Sequence, residues 1–224
     1  AVAEVAPPAA AAGCVADVGA GTGYYLAAVL DRLPGLAGLA LDASKFAARR
    51  AARAHPRIGA VTCDAWLTLP VADSAAVVVL NVFAPRNGAE LRRILNPAGR
   101  LIVVTPDRDH LAELTGPLGL LAVDRRKDER LSGTLSPFFT LASRHERRVL
   151  LSLDRHAAGL LVAMGPTAWH AEPAVLAARI RQLPDPAPVT VAVTVSVFEP
   201  LAGSAPPAPA TTPRSAAAAR TAAG

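Results

Sequence analysis

The segment Val15-Ala16-Asp17-Val18-Gly19-Ala20-Gly21-Thr22-Gly23 constrains this chain more than any other. It reads as a short apolar strand carrying an acid, then three glycines at every second position, then a helix beginning at Tyr24. Glycine tolerates a left-handed backbone and lets the chain pass close to a ligand, because no Cβ stands in the way. A helix start after such a loop points free N–H groups at whatever lies beyond it. The combination is that of a nucleotide-type cofactor site. The dinucleotide fingerprint is Gly-x-Gly-x-x-Gly. Here Gly23 arrives one residue early, and Asp17, two residues before the first glycine, is foreign to that fingerprint.

The second half of the signature is Leu39-Ala40-Leu41-Asp42, an apolar strand ending in a carboxylate. It falls roughly 20 residues after the glycines, where an acid can accept both hydroxyls of a ribose. Ribose is common to NAD and S-adenosylmethionine (SAM), so Asp42 supports a nucleoside cofactor without choosing between them. The glycine spacing chooses. Acid-x-Gly-x-Gly-x-Gly resembles the first motif of class I SAM-dependent methyltransferases, in which the loop wraps the amino-acid end of the cofactor. The same spacing disfavours an NAD oxidoreductase.

Strands are expected at 14–18, 39–42, 58–63, 76–81 and 101–105, and helices at 24–33, 44–54 with Ser44 as N-cap, and 89–95. Residues 76–81 are nearly all valine, as in a strand buried on both faces. Asn96-Pro97-Ala98-Gly99 is expected to stop the third helix. Strands alternating with helices predict an α/β fold with a doubly wound, mostly parallel sheet. Further helices are expected at 110–121, at 156–163 opened by Asp154 or Arg155, and at 173–181. Strands at 146–154 and 189–198 would add the antiparallel C-terminal element of a class I methyltransferase. The expected organisation is an irregular stretch at 1–12, a methyltransferase domain at 13–200 and a disordered Pro/Ala-rich tail at 201–224. Residue 1 is alanine, so the chain reads as a piece of something longer or as a processed product.

With 224 residues and 52% hydrophobic content, one domain with a sizeable core is expected. No apolar run approaches the roughly 20 residues of a membrane span, and the start lacks the basic flank of a secretory signal. The two cysteines, Cys14 and Cys63, both fall in expected buried strands and read as small core residues, which points by default to a cytoplasmic location. The five histidines and two cysteines show no zinc spacing, so no metal is expected. The formal charge is +5 with a pI near 10.0. That fits a polyanionic partner such as RNA, or equally an arginine-rich genome.

Three more loops follow expected strands, where ligands of such sheets bind. Asp64 is placed to meet an adenine amino group, with Trp66 able to cover the ring. Asn81 and Phe83 stand where the transferable methyl would be, and can bond or stack on a base. His110 can donate to the carboxylate of SAM or to the substrate. Each also has a plain structural role open to it, as turn acid, strand-ending amide and helix-start histidine.

Several stretches together resemble one family, the bacterial 23S rRNA guanine-N1 methyltransferases, and within it the tylosin-resistance branch. They are the glycine motif, Leu41-Asp42-Ala43-Ser44-Lys45, Ala51-Ala52-Arg53-Ala54-His55-Pro56, Asn81-Val82-Phe83-Ala84-Pro85-Arg86-Asn87, Val103-Val104-Thr105-Pro106, His110-Leu111-Ala112-Glu113-Leu114 and Met164-Gly165-Pro166-Thr167-Ala168-Trp169-His170. The resemblance covers roughly residues 14 to 200. It implies SAM held by Asp17, Gly19, Gly21, Thr22 and Gly23, with Asp42 on the ribose, Asp64 and Asn81 beside the site, and His110 as a cofactor contact. The implied substrate is a guanine in a 23S rRNA hairpin, flipped out or held in a loop for methylation at N1, with macrolide resistance as the outcome. Arg86, Arg125, Arg126, Arg144 and Arg147 become candidates for phosphate contacts, and a homodimer is a further family trait. No residue stands out as the base that takes the N1 proton; Asp107 is merely within reach. The family's N-terminal cysteine/histidine zinc module, with a linker tyrosine that reaches the cofactor, has no counterpart in this sequence. The readings left beside this one are a small-molecule methyltransferase with the same cofactor site, and a truncated remnant that transfers nothing.

Overall fold

The computed structural model describes residues 13–119, 133–164 and 172–201. Seven strands form one sheet in the order β3-β2-β1-β4-β5-β7-β6. They are β1 (Cys14–Val18), β2 (Ala37–Asp42), β3 (Ile58–Thr62), β4 (Ala76–Val82), β5 (Leu95–Pro106), β6 (Phe139–Leu153) and β7 (Ala187–Pro200). The first five pair in parallel, and β7 runs antiparallel to both β5 and β6. This is the expected doubly wound sheet with one antiparallel strand near its C-terminal edge.

Period-two alternation sends the side chains of the central strands to two different cores. Ala16, Val18 and Val79 meet Leu91 and Ile94 of α3 (Gly88–Ile94) on one face. Val15, Val78 and Leu80 meet Leu26 and Leu30 of α1 (Tyr24–Leu30), and Ala51 of α2 (Lys45–Ala51), on the other. Asp17 therefore lies on the α1/α2 face and Asn81 on the α3 face. A third cluster joins α4 (Ala112–Leu118), α5 (Arg155–Ala163) and the start of β7, with Leu176 and Ile180 of α6 (Pro173–Arg181) packed against it.

The caps follow sequence chemistry. The Ser44 hydroxyl accepts from the Ala47 N–H, and the Asp154 carboxylate from the Ala157 N–H. Four strands begin earlier than expected, β2 and β7 by two residues and β5 and β6 by more. β5 already includes Asn96-Pro97-Ala98-Gly99, because Leu95 pairs with Ala76 before the register shifts. β6 begins at Phe139 rather than 146, paired along the whole of β7 with a bulge between Leu141 and Ser143. Cys63 lies just past β3; both thiols are free and pack against the core. The expected stretch around residues 165–170, the charge cluster at 124–130, with Arg125 and Arg126, and both termini lie outside the described residues.

Two arginines that the sequence reading passed over anchor connections. The Arg57 guanidinium donates to the carbonyls of Leu30, Leu33 and Leu36, closing the turn between α1 and β2. Arg93 of α3 binds the Glu90 and Asp73 carboxylates, each at 2.7 Å, and the carbonyls of Leu69 and Val71. It thereby staples the β3–β4 connection to α3. No described helix is long and apolar enough to cross a membrane.

Candidate active site

The strand order reverses between β1 and β4, and the crevice outside their carboxyl ends is where such sheets bind ligands. Four segments meet there. The glycine loop follows β1, Asp42 ends β2, the loop 83–87 follows β4, and 107–111 follows β5.

Gly19, Gly21 and Gly23 all have positive φ, at 79°, 54° and 79°. Two of them serve different ends. A Cβ on Gly19 would stand 2.3 Å from the Ala84 Cβ, so the loop is pressed against the segment after β4. A Cβ on Gly21 would meet nothing within 4 Å. Gly21 faces open space, and its lack of a side chain keeps that space free for a ligand. The N–H groups of Gly19 and Ala20 donate to the Leu41 carbonyl, and that of Gly23 to Ala20. Gly23 then opens α1, and Thr22 is exposed beside it.

Asp42 ties this loop to β2. Its carboxylate accepts from the Gly21 N–H and the Ser44 N–H, both at 2.8 Å. A carboxylate offers about four lone-pair sites, so two remain for hydroxyls. Asp17 is different: it is 1% exposed, and neither carboxylate oxygen has a hydrogen-bond partner. Burial, with the Asp42 charge second, pushes its carboxyl up to about 7. Among the described residues no cation pairs with either acid. SAM carries a sulfonium and an ammonium, so two carboxylates around an open glycine cradle suit its charge and shape.

The Asp17 carboxyl ionises near pH 3.9 when unfolded but near 7 when folded. The folded state binds the extra proton, so its stability falls as pH rises from the first value through the second. Asp17→Asn should therefore gain about 1.4 kcal/mol on the parent chain between pH 6 and pH 8. Thermal unfolding of both proteins across that range reads the difference. Parallel curves would mean that the Asp17 carboxyl does not titrate between pH 6 and pH 8.

The other predicted residues take clear positions. Asp64 is exposed, and its Oδ1 accepts from the Trp66 N–H in a tight turn; Trp66 is also exposed. Asn81 is fully buried, and its amide donates to the carbonyls of Val18 (3.3 Å) and Pro85 (2.9 Å). It clasps the end of β1 to the loop after β4, and its burial keeps it off an RNA base. The His110 ring lies 5.7 Å from that of Phe83, and its Nδ1 accepts from the Ala192 N–H. Phe83 and Leu111 both have positive φ, at 53° and 57°, a conformation that costs a non-glycine residue about 1–2 kcal/mol. Such strain marks sites where backbone position matters more than ease. The half-exposed Phe83 and His110 form one wall of the crevice, a pairing that no sequence spacing signals. Asp107 is bonded to the Thr194 hydroxyl and the Ala192 carbonyl. Arg86 is half-buried with its Nε unpartnered, while Arg144 and Arg147 are exposed on β6. Among the described residues no cluster of His, Cys, Asp or Glu could hold a metal ion.

Solved structures share this fold. The chain superposes on the MccD protein with TM-score 0.54 at 17% identity, covering 84% of this chain and 90% of that one. It superposes on a geranyl diphosphate methyltransferase in complex with SAM with TM-score 0.52 at 15% identity, covering 89% and 83%. The sheet order, the glycine cradle and the acid ending β2 define a class I SAM-dependent methyltransferase. No family model matches the chain, but curated relatives do. It is 53% identical over 188 residues to the 23S rRNA (guanine(748)-N(1))-methyltransferase of Streptomyces fradiae, covering 84% of this chain and 67% of that protein. It is 52% identical over 197 residues to a Micromonospora griseorubida protein assigned 23S rRNA (guanine-N(1)-)-methyltransferase activity, covering 88% and 67%. The chain belongs to the 23S rRNA (guanine-N(1)-)-methyltransferase family, and spans about two thirds of the length of these two relatives.

Proposed function

We propose that this chain transfers the methyl group of SAM to N1 of a guanine in 23S rRNA, the one its Streptomyces fradiae relative is named for, and so confers resistance to tylosin-type macrolides. The observation that carries the reading is the 53% identity to that relative over 84% of the chain. The geometry agrees with it. SAM supplies an electrophilic methyl on a sulfonium, and the protein's task is alignment. Asp42 receives the ribose hydroxyls while holding the Gly21 N–H, which couples cofactor position to loop position. Gly19, Gly21, Thr22 and Gly23 form the cradle, and the buried Asp17 carboxyl beside it gains its charge as pH rises through about 7. Asn81 acts on the site indirectly, by fixing the loop that carries Phe83. Phe83 and His110 form the wall against which cofactor and guanine are held, and Asp64 lies toward the adenine end. The reading includes action in the cytoplasm, and a homodimer for which the exposed edge strand β6 is the candidate surface.

The test is methylation of a 23S rRNA hairpin fragment with isotope-labelled SAM. N1-methylguanosine stops reverse transcription, so primer extension locates the product. A single stop at the matching guanine is expected. Label transferred only to a hydroxylated metabolite would support the small-molecule reading, and no binding of S-adenosylhomocysteine would support the remnant.

A further inference from the structure

Beside the cofactor loop, α1 and α2 enclose an open groove of about 720 Å³, reached from Thr22. Its walls carry Tyr24 and Phe46, which are 73% and 70% exposed, and the side chains of Arg49, Arg50 and Arg53. Large aromatics so exposed bury little of their area in the fold, and side by side they call for a partner. Lys45 stands next to them, its Nζ 5.2 Å from the Phe46 ring centre. The segment 43–63 contains no Asp or Glu at all. Among the described residues Arg49, Arg50 and Arg53 form no salt bridge, whereas Arg57, after α2, is engaged with the carbonyls of Leu30, Leu33 and Leu36. An acid three or four residues away on the helix would pair with them; the sequence places none there.

Positive charge interleaved with exposed aromatic rings is the chemistry of a strand-tracking nucleic-acid surface. Arginines follow the phosphates while rings stack on bases, whatever the sequence. We propose that the α1/α2 groove is a second contact surface for RNA, separate from the crevice that holds cofactor and target guanine. It would take unpaired nucleotides flanking the modified hairpin. The inference rests on the proposed RNA substrate. It adds that part of the RNA is held on the α1/α2 side of the sheet, through phosphates and stacking rather than base-specific bonds. The groove opens at Thr22, so RNA held there lies beside the cofactor loop.

The experiment uses the full chain and a synthetic 23S rRNA hairpin with its natural single-stranded flanks. Binding is titrated from 50 to 200 mM salt for the parent chain, Arg49→Ala/Arg53→Ala and Phe46→Ala. S-adenosylhomocysteine binding and thermal unfolding are followed alongside. The double arginine variant should lose about tenfold in RNA affinity, and its salt slope should drop by about two, one per phosphate contact. Phe46→Ala should lose about fivefold with its slope unchanged, since stacking is not ionic. Cofactor affinity and unfolding temperature should stay at parent values. Trimming the hairpin's flanks should abolish the difference between parent and variants. RNA bound equally well, with an equal salt slope, by all three proteins overturns the groove proposal and leaves the substrate reading standing. A parent chain that binds cofactor but no RNA overturns both. A dimer that Phe46→Ala dissociates, with RNA affinity unchanged, assigns the groove to a second copy of the chain and overturns the proposal.

Discussion

Asp42→Ala should weaken S-adenosylhomocysteine binding about 100-fold while the protein stays folded. On the proposed placement, the carboxylate accepts two ribose hydroxyls, each a hydrogen bond to a charged group worth about 1.5–3 kcal/mol. Water entering the gap recovers part of that, leaving roughly 3 kcal/mol, or about 100-fold. The loss has a second origin in the loop itself. Asp42 also holds the N–H groups of Gly21 and Ser44, and without it the cradle must be ordered by the ligand. Asp42→Asn keeps one acceptor oxygen and should lose closer to tenfold. Calorimetric titration reads both values, with circular dichroism as the check on folding. A folded alanine variant that binds as tightly as the parent would remove Asp42 from the site.

Arg93→Ala should cost about 3–5 kcal/mol of stability, because it strands a buried carboxylate. Glu90 is 8% exposed, and its carboxylate accepts from Arg93 and from the Leu69 N–H. Burial alone would raise the Glu90 pKa; the Arg93 hydrogen bond and the Leu69 N–H outweigh it and hold the carboxyl below its usual range. The sign of the pH dependence follows. The pair stabilises the fold above the ordinary glutamate value, and that contribution is lost as pH falls through the lowered one. Urea unfolding at pH 7 should show the deficit, and it should shrink toward pH 3. Pairing Arg93→Met with Glu90→Gln should restore much of it, because no charge is then left buried alone. A deficit under 1 kcal/mol at pH 7 would mean that water reaches Glu90 freely.

The glycine-loop half of the candidate site was legible as geometry because its demands are local. Glycines at 19, 21 and 23 and the acid at 42 follow from how a backbone passes a nucleoside, and neighbours in sequence meet those demands. Ser44 and Asp154 were legible as caps for the same reason. Asn81 was not. In a strand buried on both faces, composition does not say which way one amide points, and it turned out to clasp Val18 and Pro85. The Phe83–His110 wall joins two loops from different strands, so no spacing encodes it. β6 is exposed along nearly its whole length after Phe139, and its second half was legible only through the alternation from Glu146. With neither face required to be apolar, Thr140 to His145 carry no alternation to read. Arg57 and Arg93 carried no motif to single them out, yet they fix connections by gathering carbonyls that the sequence does not advertise.

The sheet order sets a timetable for synthesis. β5 receives its outer neighbour from β7, which emerges from the ribosome about 80 residues later. At roughly 5–20 residues per second, the β5 edge stands open for several seconds after β1 to β4 can assemble. An unpaired apolar edge of that kind is a template for joining a neighbouring chain. β6, paired antiparallel with β7 from Phe139–Pro200 to Leu153–Ala187 although α5 and α6 lie between them in the chain, gives β7 a partner of its own as it leaves the tunnel. β7 can then dock on β5 as half of a finished ribbon. The yield of folded protein should thus depend on translation speed through the last third of the chain, a lever for producing it that acts without altering any residue of the site.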